Sequence, residues 1–366
     1  MVKAVVDGVR FAGFQAAVPA DRHSFLDDPA PFTREEAEKL AASTGVRGRR
    51  VLPPHLCASD LCVAAAEGLL AQIGWEPGSI DVLVFVSQDA DYNLPATACV
   101  IQQHLGLSTS CAAFDVNLGC SGFVYGTWIA ARLLSGIVTE PGRPGRALVL
   151  CGDTSTRHLR PDDRSTLPLF GDAGSATALE RDETAGRLFV VAGTDGAGAS
   201  HIRIKAGGRR DSLVPPTAPR SPEEEERLFR DARLHLNGAE VFGFTLKAVP
   251  PLVRQTLDHA GTTVDAIDWC VMHQANKFML DHLRKKTGFP EGRFVVDMEE
   301  FGNTSSASIP LAISHRLSTD LAEHRRRVLL AGFGVGWSWG ALVGDIGPLP
   351  PPAVVEVGSD RKPMLP

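Results

Sequence analysis

No stretch of this 366-residue chain approaches the roughly 20 consecutive apolar residues that a membrane-spanning helix needs, and the N-terminal run Met1-Val-Lys-Ala-Val-Val-Asp7 carries no apolar secretion core. Positive charge is not in excess either: the formal net charge of −6 provides no general cationic surface for nucleic acid or an anionic membrane. Its seven cysteines, at 57, 62, 99, 111, 120, 151 and 270, lack the paired spacing of a zinc site or a small disulfide scaffold. These absences predict a soluble, cytoplasmic protein with reduced thiols, no membrane segment and no nucleic-acid partner. A hydrophobic content of 44% is ample for a large core.

What is present is an alternation of short apolar runs with helical patterns. Val82-Leu-Val-Phe-Val, Ala147-Leu-Val-Leu-Cys, Trp269-Cys-Val-Met and Val328-Leu-Leu-Ala read as buried strands of an α/β chain. Two runs echo the other two. Asp81-Val-Leu-Val-Phe-Val-Ser-Gln resembles Asp268-Trp-Cys-Val-Met-His-Gln, and Arg146-Ala-Leu-Val-Leu resembles Arg327-Val-Leu-Leu-Ala. The echoes predict a duplicated fold with halves at 1–182 and 183–346. Residues 205–233 bring prolines and dense charge, including Glu223-Glu-Glu-Glu226, and read as an exposed insertion or lid. From Gly347 onward six prolines fall within twenty residues, which predicts an irregular tail over 347–366.

Three separated segments then combine into one chemical kit: Asn117-Leu-Gly-Cys120-Ser-Gly, His273-Gln-Ala-Asn276 and Gly302-Asn303-Thr-Ser-Ser. Ala112–Val116 reads as a strand and 121–135 as a helix ended by Gly136, so Cys120 sits at a strand-to-helix turn. There, backbone amides and the helix dipole favour a thiolate, and Gly119 and Gly122 let a substrate approach the backbone. Each residue has an ordinary explanation when taken alone. A free cysteine is usually a buried small hydrophobe, a histidine at a strand end is usually structural, and an asparagine in such a turn is usually a cap. Together, a thiol, an imidazole and a carboxamide can hold an acyl group as a thioester and stabilise an enolate beside it, which points to carbon–carbon bond formation.

These segments, with Thr44-Gly-Val-Arg-Gly-Arg-Arg, Asp162-Asp-Arg-Ser-Thr, Leu169-Phe-Gly-Asp-Ala-Gly-Ser-Ala, Asn237-Gly-Ala-Glu-Val-Phe and Phe333-Gly-Val-Gly-Trp-Ser-Trp-Gly, resemble the ketoacyl-acyl-carrier-protein synthase III family of the thiolase superfamily over most of residues 5–345. The resemblance implies a five-layered αβαβα fold built from two duplicated halves, a homodimer, and no permanently bound cofactor or metal. It further implies that Cys120 takes an acyl group from a thioester of coenzyme A or an acyl-carrier protein. A malonyl-type thioester then loses carbon dioxide, and its enolate attacks the acyl-enzyme. His273 and Asn303 would donate hydrogen bonds to the extender's thioester oxygen, and the amides of Cys120 and Val335 would form the oxyanion hole. Asn276 and Gly238 would line the pantetheine tunnel. Leu94 would reach the partner's acyl pocket across the dimer interface.

The same resemblance frames the departures. A degradative thiolase needs a second cysteine in the late glycine turn, and Ala331-Gly-Phe-Gly-Val-Gly has none; condensation without decarboxylation uses a glutamate base, yet no glutamate lies between Glu76 and Glu140. Where the family pattern has a tryptophan and an arginine around an adenine, this chain has Lys39 and Ser43, leaving Arg164 as the nucleotide-contacting cation. A carrier-bound donor is the obvious substitute for coenzyme A, docking on Lys277, Arg284, Lys285 and Lys286, although Phe278 and Gly243 replace family cations. Two other readings stay open: an acyltransferase delivering the Cys120-bound acyl group to an alcohol or amine, with His273 as base, and a non-catalytic dimer partner.

Overall fold

The computed structural model describes residues 1–27, 31–213 and 220–364. Two six-stranded mixed sheets form the body. In space, the first runs Ala353–Val357, Val9–Pro19, Ala173–Arg181, Arg146–Asp153, Val82–Val86, Ala112–Val116, and the second Val2–Val6, Leu188–Thr194, Ser338–Ile346, Arg326–Gly334, Trp269–Met272, Phe294–Val295. The repeated segments of the sequence occupy equivalent places. Val82–Val86 and Trp269–Met272 are each fifth in order, and Arg146–Asp153 and Arg326–Gly334 each fourth. Even the entry to these strands repeats: Asp81 accepts the backbone N–H of Arg146 at 3.0 Å and Asp268 that of Arg327 at 2.7 Å.

The layering follows from side-chain alternation. On Val82–Val86, side chains 82, 84 and 86 enter a central core, whereas Leu83 and Phe85 enter an outer one, as period-2 geometry requires. Both faces are therefore apolar, the mark of a strand covered on two sides. The central core holds helices Gly122–Gly136 and Ser308–Arg316 between the sheets, through Phe123, Ala130 and Leu134 on one and Ile309, Ala312 and Ile313 on the other. Helix Ala58–Ile73 covers the outer face of the first sheet with Leu61, Ala65 and Leu69. Helices Gly238–Ala260 and Lys277–Thr287 cover the second with Leu252, Val253, Leu280 and Leu283. This is the five-layered αβαβα arrangement.

Two terminal segments cross the division between halves. Val2–Val6 pairs antiparallel with Leu188–Thr194 in the second sheet. The tail expected to be irregular supplies Ala353–Val357, parallel to Val9–Pro19 in the first. Its prolines at 350–352 precede the strand, where no ladder donor is needed, and Val354-Val355 supply the β-branched pair. Glu356 forms an ion pair with the buried Arg50 guanidinium at 2.8 Å, fastening this edge. Among the described residues, no helix is long and apolar enough to cross a membrane.

Candidate active site

Cys120 lies where strand Ala112–Val116 turns into helix Gly122–Gly136. The glycines flanking it act differently from expectation. A Cβ on Gly122 would meet Val86 Cγ1 at 2.5 Å, and one on Gly119 would fall on the side-chain oxygen of Gln88. Gly122 therefore admits the strand beneath the helix rather than a substrate, and Gly119 admits Gln88. Gly334 leaves room for the Cys120 side chain, because a Cβ there would sit 2.7 Å from Cys120 Cβ and 2.8 Å from Sγ. The next residue, Val335, lies in the turn between strands Arg326–Gly334 and Ser338–Ile346.

The expected thiolate is also corrected. Burial pushes the Cys120 thiol up to about 11, and the Asp153 carboxylate adds to the rise. The backbone N–H of Val335, that of Cys120 itself and the Ser305 hydroxyl oppose it without prevailing. Desolvation of a thiolate outweighs a few dipoles when the sulfur is enclosed. The same two amides, Cys120 and Val335, are thus gathered at the sulfur, where an acyl oxygen would be during transfer.

His273 follows strand Trp269–Met272, its backbone N–H held by the carbonyl of Ala331 at 2.8 Å. Burial moves the imidazole down to about 4, so it is neutral at physiological pH. Its Nδ1 lies 2.8 Å from Ser308 Oγ, and that hydroxyl is also 2.8 Å from the Ser305 carbonyl oxygen. Asn303 is pinned by backbone bonds to Leu169 and Gly171. Its Oδ1 accepts the backbone N–H of Ser305 at 3.0 Å, which leaves Nδ2 as the end free to donate. Ser305 has φ of +50°, the only positive value at a non-glycine among the described residues. Such strain persists where surrounding bonds overdetermine the backbone. Asp153 supplies them, accepting Ser306 N at 3.0 Å, Ser306 Oγ at 2.6 Å and Gln88 N at 2.8 Å.

Cys120, His273, Asn303 and Val335 line one cavity of about 690 Å³, together with Asn276 and Gly238. Asn276 also caps helix Lys277–Thr287, its Oδ1 accepting Met279 N–H at 2.8 Å, and Gly238 is the first residue of helix Gly238–Ala260. The segment read as an insertion reaches this cavity through Ala206, Gly207 and Gly208, then forms helix Pro222–Asp231; residues 214–219 lie outside the described residues. Other expected residues are placed elsewhere. Arg164 lines a separate pocket with Phe32, Lys39 and Ser43, where its guanidinium bonds Glu36 at 2.6 Å and lies 5.0 Å over the Phe32 ring. Leu94 is 82% exposed and does not line its own chain's cavity, although Tyr92 and Asn93 do. Lys277 pairs with Asp281 at 2.7 Å and Arg284 approaches Glu291 at 4.0 Å; Lys285 and Lys286 are exposed.

Residues 114–200 match the family model of 3-oxoacyl-[acyl-carrier-protein (ACP)] synthase III, and residues 257–346 match that family's C-terminal model. The beta-ketoacyl-[acyl-carrier-protein] synthase III of Symbiobacterium thermophilum is 36% identical over 335 residues, spanning 91% of this chain and 97% of the relative. This chain belongs to the synthase III family. Among solved structures, the 3-oxoacyl-(acyl-carrier protein) synthase of Burkholderia xenovorans LB400 superposes with a TM-score of 0.86 at 39% identity, covering 97% of this chain and 99% of that one. The priming β-ketosynthase of the R1128 polyketide pathway superposes at 0.80 with 28% identity, covering 95% and 98%.

Several residues of this synthase III site carry no functional signal in the sequence. Ser305 sits inside the quoted asparagine motif and Ser308 two residues beyond it, but only the fold shows that one hydroxyl faces the sulfur and the other the imidazole. Asp153, Asp89 and His158 belong to no motif and Gln88 only closes the Asp81 echo; the end of strand Arg146–Asp153, the loop after Val82–Val86 and the 3-10 turn Ser155–His158 bring them to the cavity.

Proposed function

We propose that this synthase III catalyses decarboxylative Claisen condensation with Cys120 as nucleophile, extending the acyl group by the two carbons of a malonyl-type thioester. The observation that carries the reading is the convergence of the Cys120 sulfur, the neutral His273 and the free Asn303 amide on one cavity. The thiol attacks the acyl thioester while the Cys120 and Val335 amides hold the oxyanion. After the extender enters, Asn303 Nδ2 and His273 Nε2 donate to its thioester oxygen, stabilising charge that exists only as carbon dioxide leaves. A neutral imidazole donates from Nε2 only if Nδ1 accepts. Ser308 can provide for this, since its hydroxyl is 2.8 Å from both Nδ1 and the Ser305 carbonyl, and rotation exchanges the two bonds.

With the hydroxyl on Ser305, Nδ1 carries the proton and Nε2 is an acceptor. That state favours the second reading, transfer to an alcohol or amine with His273 as base. Intact-mass analysis separates the two. Acyl thioesters are expected to leave an adduct on Cys120 that a malonyl thioester discharges with one equivalent of carbon dioxide; an adduct that persists through this chase but clears with an alcohol or amine sinks condensation.

The donor reading favours an acyl-carrier protein over coenzyme A. The ion pair to Glu36 engages Arg164 in the pocket where an adenosine phosphate would need that cation. The exposed Lys285 and Lys286 offer positive charge to an acidic carrier. Glu36→Gln keeps the capping function at Thr33 and frees Arg164. It is expected to lower KM for acyl-CoA about 3- to 10-fold, the scale of one partly exposed charged bond, and to leave KM for acyl-pantetheine unchanged. Equal effects on both substrates count against Arg164 as a nucleotide contact. The homodimer fits an edge strand, Ala112–Val116, with one neighbour in its sheet, and the exposed Leu94 beside cavity residues.

A further inference from the structure

The wall of the Cys120 cavity carries a charged pair that the condensation chemistry does not use. His158 Nε2 lies 2.6 Å from Asp89 Oδ1, and both residues line the cavity. Asp89 Oδ2 accepts Thr154 N at 2.7 Å and Thr154 Oγ1 at 3.2 Å. Burial opposes charge on Asp89, but the bonds from His158 and Thr154 hold its carboxyl below the usual range. The hydrogen bond to Asp89 raises His158. Both shifts favour the imidazolium–carboxylate form of the pair. Nε2 donates to Asp89, and Nδ1–H has no partner among the described residues.

The residue before Asp89 carries this wall to the nucleophile. Gln88 is held through its N–H by Asp153, and its side-chain amide lies against Gly119, the residue preceding Cys120. On the far side the wall is tied to a neighbouring strand pair: the His158 carbonyl accepts Leu234 N–H at 2.8 Å, and the adjacent His235 pairs with Arg203, another cavity residue. An acyl chain running from Cys120 along this wall would therefore meet a carboxamide and the Asp89–His158 pair. A purely aliphatic chain would strip water from these groups and return no hydrogen bond, which is costly for partly buried charge. An oxygen on the chain would satisfy Nδ1–H.

We propose that Gln88, Asp89 and His158 form a specificity site selecting acyl groups that carry a hydroxyl, keto or carboxylate oxygen beyond the thioester carbon. Asp89 is the positioning residue, holding His158 through Nε2 and so leaving Nδ1 as the free end of a cavity-lining ring; His158 and Gln88 touch the chain. This inference rests on Cys120 as the site of acylation.

The test measures kcat/KM for Cys120 acylation by pantetheine thioesters of butanoate, pentanoate and hexanoate against the same chains bearing a hydroxyl or keto oxygen walked from carbon 3 to carbon 5, and against succinate and glutarate. In the wild type, at least one oxygenated chain is expected to exceed its alkyl counterpart tenfold or more. That ratio should collapse to near one or below in His158→Leu and recover in part in His158→Gln, which restores a neutral donor. Each ratio is taken within one protein, so loss of folded enzyme in a variant cancels. Alkyl chains matching or beating every oxygenated one in the wild type overturn the site, as does a ratio unmoved by His158→Leu, which would leave the pair a structural clamp on the 154–158 turn. Absence of any adduct on wild-type Cys120 overturns this inference together with the acyl-enzyme reading on which it rests.

Discussion

Replacing Cys120 with alanine is expected to abolish the acyl adduct and lower condensation by on the order of 10⁴-fold or more, the scale seen when a covalent nucleophile is removed. No other thiol can substitute. Cys62, Cys151 and Cys270 are buried in the packed layers, Cys57 and Cys111 are half-buried, and Cys99 is exposed; none of the six lines the cavity. The raised thiol adds a pH signature with a definite sign. The thiolate is the reactive form, and with a pKa near 11 its fraction at pH 7 is small and grows about tenfold per pH unit. Alkylation of Cys120 by iodoacetamide, followed by peptide mass analysis, should therefore climb by roughly one logarithmic unit per pH unit from 7 to 9 and show no plateau. A plateau below pH 8 would mean that the amides and the helix end outweigh desolvation after all. Acylation by substrate need not share that slope if the cavity supplies a base or the oxyanion amides act in concert with thiol attack; a shallower profile for substrate than for iodoacetamide is the expected contrast.

That contrast also marks what a linear sequence reveals. That Cys120, His273 and Asn303 belong together was legible because each lies in a short run whose turn chemistry is local, and the fold brings all three to one cavity. The duplication was legible from two pairs of apolar runs, since both halves repeat the same strand entry through Asp81 and Asp268. The ionisation of Cys120 was not, because local dipoles are visible in sequence and desolvation by a distant turn at Gly334–Val335 is not. The C-terminal strand was misjudged for a related reason. Val354-Val355 is too short a run to outweigh six nearby prolines on the page, yet an edge strand needs only a neighbour offering its ladder, and Val9–Pro19 does so from more than three hundred residues away. Arg164 likewise fits its motif, whereas its engagement by Glu36 depends on a helix packed over it.

The second large effect falls on the extender half of the reaction. Asn303→Ala and His273→Ala should each reduce malonyl-thioester decarboxylation by about 10²- to 10³-fold, the usual consequence of deleting one donor to a developing oxyanion. Cys120 acylation should fall less than tenfold in the same proteins, because the Cys120 and Val335 backbone amides remain. Ser308 gives the sharper discrimination. In Ser308→Ala the hydroxyl that can rotate between Nδ1 and the Ser305 carbonyl is gone, leaving that carbonyl as the nearby acceptor; the neutral His273 then keeps its proton on Nδ1 and presents a bare Nε2. Decarboxylation should drop toward the level of His273→Ala while acylation persists, and Ser308→Thr, which retains the hydroxyl, should recover most of it. Stopped-flow measurement of carbon dioxide release beside intact-mass acylation rates reads both halves. If Ser308→Ala spares decarboxylation, the imidazole does not need Nδ1 as an acceptor. If instead His273→Ala suppresses acylation as strongly as decarboxylation, the histidine works first as the base for the thiol, and transfer to an alcohol or amine gains the support that condensation loses.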